Sequence, residues 1–162
     1  MMESKTIYLV RHGLATHSKR GYGKRKLTAP ILPEGEAAIR RLAESLISVP
    51  DNFNISSEII RCRQTSAIIS EITGKQFTFD ARLNEGNRET IMQIRQRALS
   101  FIQDVEKVPQ KNIIICTHGV IIAAIKNLII TNKFVTRMMT DYPLPGELMI
   151  IDGNNVKMTN FN

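Results

Sequence analysis

Apolar residues along this chain alternate between short unbroken runs and longer amphipathic stretches. Residues 7–10 (IYLV) form the first short run and read as a buried strand. PEGEAAIRRLAESLIS, beyond a basic loop, reads as a helix. Pro33 suits its first turn, Glu34 and Glu36 sit at the positive end of its dipole, and Ile39, Leu42, Ala43 and Leu46 share one stripe. Residues 53–55 predict a second strand. Ser56 or Ser57 is placed to cap the next helix, in which Ile60, Ala67, Ile68 and Ile72 share a face and which Gly74 stops. Residues 77–79 predict a third strand, and residues 88–105 a helix with Ile91, Ile94, Ala98, Phe101, Ile102 and Val105 at helical spacing. NIIICTHGVIIAAIKNLII then gives a wholly apolar strand, a turn at His118-Gly119 and a helix apolar nearly all round. ELMIIDGNNVKMTNF reads as a hairpin turning at residues 152–155.

Strands alternating with helices predict an α/β fold: a three-layer sandwich with a largely parallel central sheet, helices on both faces and a C-terminal hairpin. No linker or low-complexity tract divides the chain. Residues 1–162 are therefore expected to form one domain, long enough to bury a core without disulfides or metals.

Composition narrows the location and the partners. No apolar leader precedes residue 7, and no stretch reaches the roughly 20 apolar residues of a membrane span; residues 120–130 are interrupted by Lys126 and Asn127. A cytoplasmic protein without a membrane partner is expected. The two cysteines have no spacing that suggests a disulfide framework or a zinc site. Cys116 lies in an apolar run and reads as core. Cys62 also reads as packing, although Arg61 and Arg63 flank it and could lower its pKa. A net charge of +7 favours anionic partners. Much of the excess lies in residues 19–26 (KRGYGKRK). A basic loop with one tyrosine is compatible with nucleic acid, but no recognition motif accompanies it and a solvated loop is the simpler expectation.

The chemistry is carried by an internal echo. KTIYLVRHG and KNIIICTHG share one grammar: a lysine, a polar residue, an apolar strand, then His-Gly. In open α/β sheets ligands bind beyond the carboxyl ends of the strands. His12 and His118, on neighbouring strands, would converge on one pocket.

IYLVRHG, SSEIIRCRQTSAII, LNE and IICTHG, in that order, resemble the histidine phosphatase superfamily, which includes phosphoglycerate mutases. The resemblance implies that His12 is the nucleophile and forms a phosphohistidine. It implies that Arg11, Arg61 and His118 hold the phosphate oxygens, with His118 also part of the catalytic set, and that Glu85 protonates the leaving oxygen. Ser18 falls where many members place an asparagine on the phosphate. Leu14 replaces a frequent acidic residue, and the glycine-and-aromatic pattern that often follows the glutamate is missing after Glu85. No cofactor is implied. His12 and His17 lack the further ligands that a metal site requires.

The residue types suit the reaction. A transferring phosphoryl group spreads negative charge over its equatorial oxygens, so positioned cations matter most. Arginine offers forked donors at any working pH. A histidine nucleophile must be neutral, with its second nitrogen held by an acceptor. An alkoxide leaving group needs a proton, which a carboxylic acid supplies. Between Glu85 and His118 there is room for one helix and one strand. The chain therefore resembles short, lid-poor members in which water reaches the phosphohistidine, so a phosphatase is expected ahead of a mutase. Its substrate would be a phosphomonoester; the alternative is a phosphohistidine in a protein. A non-catalytic phosphate-binding protein would have no need of the nucleophile. The sequence leaves the oligomeric state open.

Overall fold

In the computed structural model, which describes residues 2–162, the apolar runs become four parallel strands: β1 (Thr6–Arg11), β2 (Asn52–Ser56), β3 (Thr78–Phe79) and β4 (Asn112–Thr117). The hairpin β5 (Glu147–Asp152) and β6 (Asn155–Asn160) adds antiparallel to β1, giving the order β3-β2-β4-β1-β5-β6. Four helices cover the sheet: α1 (Pro33–Leu46), α2 (Ile60–Thr73), α3 (Ile91–Glu106) and α4 (Gly119–Thr131).

The period of two in the strands assigns the layers. Ile7 and Leu9 of β1, with Ile113 and Ile115 of β4, pack with α3 and α4. Val10, Ile114 and Cys116 point the other way, against Ile39, Leu42 and Leu46 of α1 and Ile68 and Ile69 of α2. The central strands are thus apolar on both faces, as a buried parallel sheet requires. This is the predicted three-layer sandwich.

Two helix starts differ from expectation. α2 begins after Ile59, not at a serine cap, because Ser56 and Ser57 turn their hydroxyls into the protein. α3 begins three residues later than residue 88. Arg88 has a positive φ of 55°, and Thr90 and Gln93 form a reciprocal capping box that fixes the first turn. Gly74 ends α2 in the left-handed conformation, as predicted.

β1 and β4 are adjacent and run in register from Thr6 with Asn112 to Arg11 with Thr117, the same offset as the sequence echo. Both His-Gly pairs therefore leave the sheet at the same edge. The two lysines that open the echo are not equivalent. Lys5 is buried and donates to the carbonyls of Val108 and Gln110, closing the turn after α3, whereas Lys111 is exposed.

Candidate active site

At the carboxyl edge of β1 and β4, His12 and His118 stand with ring centroids 5.2 Å apart, each only 1% exposed. The ladder carries them there: the His12 amide donates to the Thr117 carbonyl and the Ser57 amide to that of Cys116. His12 is fixed by its own turn. Nδ1 lies 2.8 Å from the Gly13 carbonyl oxygen, an acceptor only, so Nδ1 carries the proton and Nε2 keeps its lone pair. Burial above all, opposed by the Gly13 hydrogen bond and aided by Arg61 and Arg11, brings the His12 pKa down to about 3. His12 is a neutral imidazole throughout the physiological range.

Arg61 reaches the same point from the first turn of α2 and is fully buried. Its Nε donates to His12 Nε2 at 3.2 Å, Nη1 donates to the Lys26 carbonyl at 2.5 Å, and Nη2 pairs with Glu85. The face of Tyr22 lies 4.3 Å from the guanidinium carbon. Residues 22–26 of the basic loop thus fold over the site. The cover comes from this N-terminal loop; between Glu85 and His118 lie only α3 and β4 and their short connections.

Arg11 closes the opposite side. One Nη donates to the Pro143 carbonyl at 3.0 Å, and the guanidinium carbon lies 4.9 Å from the Tyr142 ring centroid. Its Nε is buried without a partner, and so is His118 Nδ1. Buried polar atoms nearly always have partners. Two of the three buried side-chain nitrogen and oxygen atoms without a partner among the described residues belong to this one cluster. Burial, followed by His12, Arg61 and Arg11, holds the His118 pKa well below its ordinary value.

Glu85 is delivered by the 3-10 turn Ala81–Leu83, which buried Leu83 anchors through a hydrogen bond from Thr117 Oγ1 at 2.5 Å. The structure thus brings together His12, His118, Arg11, Arg61 and Glu85. Ser18 is not with them. It is exposed, its amide bonding Thr16 and its hydroxyl accepting from the Arg20 amide, so it serves its own turn. His17 is also exposed and pairs with Glu34.

Several supporting residues have roles that the sequence patterns do not assign. Thr65, four residues from Arg61 and readable as part of a solvated face, is buried; its hydroxyl accepts from the Gly13 amide at 3.0 Å and donates to the Arg61 carbonyl at 2.7 Å. It clamps the nucleophile's turn to the helix that carries the arginine. Gln64 accepts from the Ile31 amide where the chain returns from the cover. Ser57, expected as a helix cap, instead contacts His118 Nε2 at 2.9 Å. Tyr142 gives no sequence signal. A Cβ at Gly119 would meet its ring at 2.9 Å, so this glycine makes room for the tyrosine that backs Arg11. Cys62 is fully buried beneath the site, and burial with neighbouring Cys116 pushes its thiol pKa up despite Arg61. It is core.

Residues 7–88 match the histidine phosphatase superfamily (branch 1). The chain belongs to that superfamily. Among its curated relatives, a Hydrogenobacter thermophilus protein provisionally named a phosphoserine phosphatase is 24% identical over 149 residues, which covers 71% of this chain and 73% of the relative. GpmB of Salmonella paratyphi C, provisionally named a phosphoglycerate mutase, is 32% identical over 79 residues. That alignment takes in 49% of this chain but only 37% of the mutase-like protein. The fold matches an Escherichia coli structure provisionally described as an alpha-ribazole-5′-phosphate phosphatase, with a TM-score of 0.81, 16% identity and coverage of 98% and 96% of the two chains. No helix among the described residues is long and apolar enough to cross a membrane.

Proposed function

We propose that the protein is a phosphatase that hydrolyses a small phosphomonoester through a covalent phosphohistidine on His12. The observation that carries this reading is the state of His12: neutral, with Nδ1–H fixed on the Gly13 carbonyl and Nε2 facing Arg61. A histidine held in this way is a nucleophile for phosphorus, and the surrounding cations match the charge of the group in flight.

In the first step the incoming phosphoryl group displaces Glu85 and the Lys26 carbonyl from Arg61. Arg11 Nε and His118 Nδ1, the two unpartnered buried atoms, meet its remaining oxygens. Nε2 attacks phosphorus, the ester P–O bond breaks, and Glu85, freed from the guanidinium and loaded with a proton from solvent, passes that proton to the leaving oxygen. In the second step water attacks the phosphohistidine and loses a proton to Glu85. The P–N bond breaks, its electron pair returns to Nε2, and inorganic phosphate departs.

The cover formed by Tyr22 and Lys26 favours a small ester over a phosphohistidine on a folded protein, because only a slender group reaches a nucleophile 1% exposed. The test is a screen of phosphorylated metabolites alongside a phosphohistidine peptide, reading released phosphate. Turnover of one or more esters, with an acid-labile and base-stable phosphoenzyme, is expected. Turnover of the peptide alone would transfer the reading to a protein phosphohistidine phosphatase.

A further inference from the structure

His118 meets its surroundings through a chain of hydrogen bonds that fixes where its proton resides. Asn84 is oriented at both ends: Oδ1 accepts from the Glu58 amide at 2.9 Å, and Nδ2 donates to the Glu58 carboxylate at 3.2 Å. Oδ1 lies 2.9 Å from Ser57 Oγ. An amide oxygen only accepts, so the single hydroxyl proton of Ser57 must point at Asn84. Ser57 Oγ also accepts from the Ile59 amide at 3.2 Å. Toward His118 Nε2, 2.9 Å away, it has only a lone pair left to offer. Nε2 therefore carries the proton, and Nδ1 of the neutral ring is a bare acceptor, buried without a partner. His12 holds the opposite tautomer, with its proton on Nδ1. Two lone pairs and two arginines thus line one anion site.

A bare nitrogen repels a phosphoryl oxygen unless a proton lies between them. We propose that Asn84 and Ser57 are positioning residues that act through His118, so that His118 engages the phosphoryl group only as an imidazolium whose second proton arrives on the substrate. A monoanionic phosphoryl group brings P–O–H to Nδ1. The proton passes to the ring and leaves a dianion held by Nδ1–H, Arg11 and Arg61, with the total charge unchanged. The role for substrate rests on the phosphatase reading above; the tautomer does not. The titratable and charged groups facing His118 are His12 and Arg11 at the end of β1, Arg61 and Cys62 of α2, and Arg97 of α3. Cys62 Sγ lies 3.5 Å from Nε2 and is the weaker alternative partner to Ser57.

The experiment uses the intact protein labelled with ¹⁵N-histidine, the three histidines being assigned by substitution. Nitrogen shifts of His118 should give the Nε2–H tautomer alone, and both nitrogens protonated once inorganic phosphate is added. Asn84→Ala, at a half-buried position, frees the Ser57 hydroxyl to donate to Nε2 and should switch the ring to Nδ1–H. Ser57→Ala, at a buried position, serves as the second variant, and Ser57→Thr should restore the native pattern. In kinetics, kcat/KM should fall about tenfold per pH unit above the second phosphate pKa near 6. That fall should flatten in Asn84→Ala, which accepts the dianion. A wild-type ring protonated on Nδ1, a neutral ring with phosphate bound, or identical pH profiles for wild type and Asn84→Ala would each overturn the proposal. If no phosphate compound is hydrolysed yet the nitrogen shifts behave as described, the phosphatase reading fails and the proton assignment stands.

Discussion

Arg61 donates its Nε–H to Nε2 of His12 across 3.2 Å, so the most buried cation of the site rests on the lone pair of the nucleophile. The contact keeps the imidazole from taking a solvent proton and aims Nε2 at the point where an anion would meet the guanidinium. Attack on phosphorus requires this hydrogen bond to give way, and the same arginine then turns to the charge that develops.

His12→Asn should abolish hydrolysis of every substrate and remove the acid-labile, base-stable phosphoenzyme. The measurement is ³²P labelling followed by acid and alkali treatment. A fully active variant would exclude covalent catalysis through His12.

Arg61→Ala should lower kcat/KM on the order of 10²–10³-fold, the scale for losing one preorganised charge-stabilising group. Arg61→Lys should recover little, because a point charge cannot reach His12, the Lys26 carbonyl and Glu85 together. Inhibition by vanadate should weaken in parallel.

Glu85→Gln separates proton donation from positioning. An alkyl phosphate expels a strongly basic alkoxide and should lose roughly 10²–10⁴-fold in rate. A nitrophenyl phosphate needs little help and should be nearly spared. Equal losses on both would show that Glu85 serves only to hold Arg61.

Buried neutral histidines make the fold sensitive to acid. The folded pKa of His12, about 3, lies below its unfolded value, so the unfolded chain binds more protons as pH falls below about 6.5. His118 shifts in the same direction. Their stabilising contribution is complete above pH about 7 and declines as pH falls through the window toward 3. As pH falls from 6.5 to 5, above the carboxylate range, unfolding free energy should drop on account of His12 with a slope that steepens toward about 1.4 kcal/mol per pH unit, and His118 should add to the fall. Denaturant titrations at stepped pH would read this slope, and His12→Asn should make it shallower.

Neutralising Lys19, Arg20, Lys24 and Arg25, all exposed on the loop that covers the site, should raise KM and flatten its dependence on salt. An unmoved KM would show that these charges do not guide the substrate.

Much of this was legible because strands repeat their logic. The echo between KTIYLVRHG and KNIIICTHG places two histidines at one sheet edge, and the register of β1 with β4 has that offset. The pattern reads less well where one residue type serves different ends. Ser57 looked like a helix cap and is bound to His118; Thr65 falls inside the resembling helix start, with no role of its own to read there, and clamps Gly13. Ser18, aligned with a phosphate-binding position, lies on an exposed turn, where its hydroxyl accepts from the Arg20 amide. Tyr142 stands far away in the chain and could be found only by its packing on Gly119 and Arg11. Such contacts depend on how loops close in space, which hydrophobic periodicity does not encode.

The cover over Arg61 also governs how strongly any phosphate can bind. Tyr22, the Lys26 carbonyl and Glu85 occupy the guanidinium that an incoming anion needs, so association is an exchange and not a simple addition. The apparent dissociation constant is then the intrinsic one divided by the fraction of molecules whose loop stands aside. A substitution that only loosens the loop, Tyr22→Ala for instance, would rescale the affinities of all small phosphates by one common factor. Ratios between substrates would not register it, and selectivity could stay constant while sensitivity to phosphate concentration drifts.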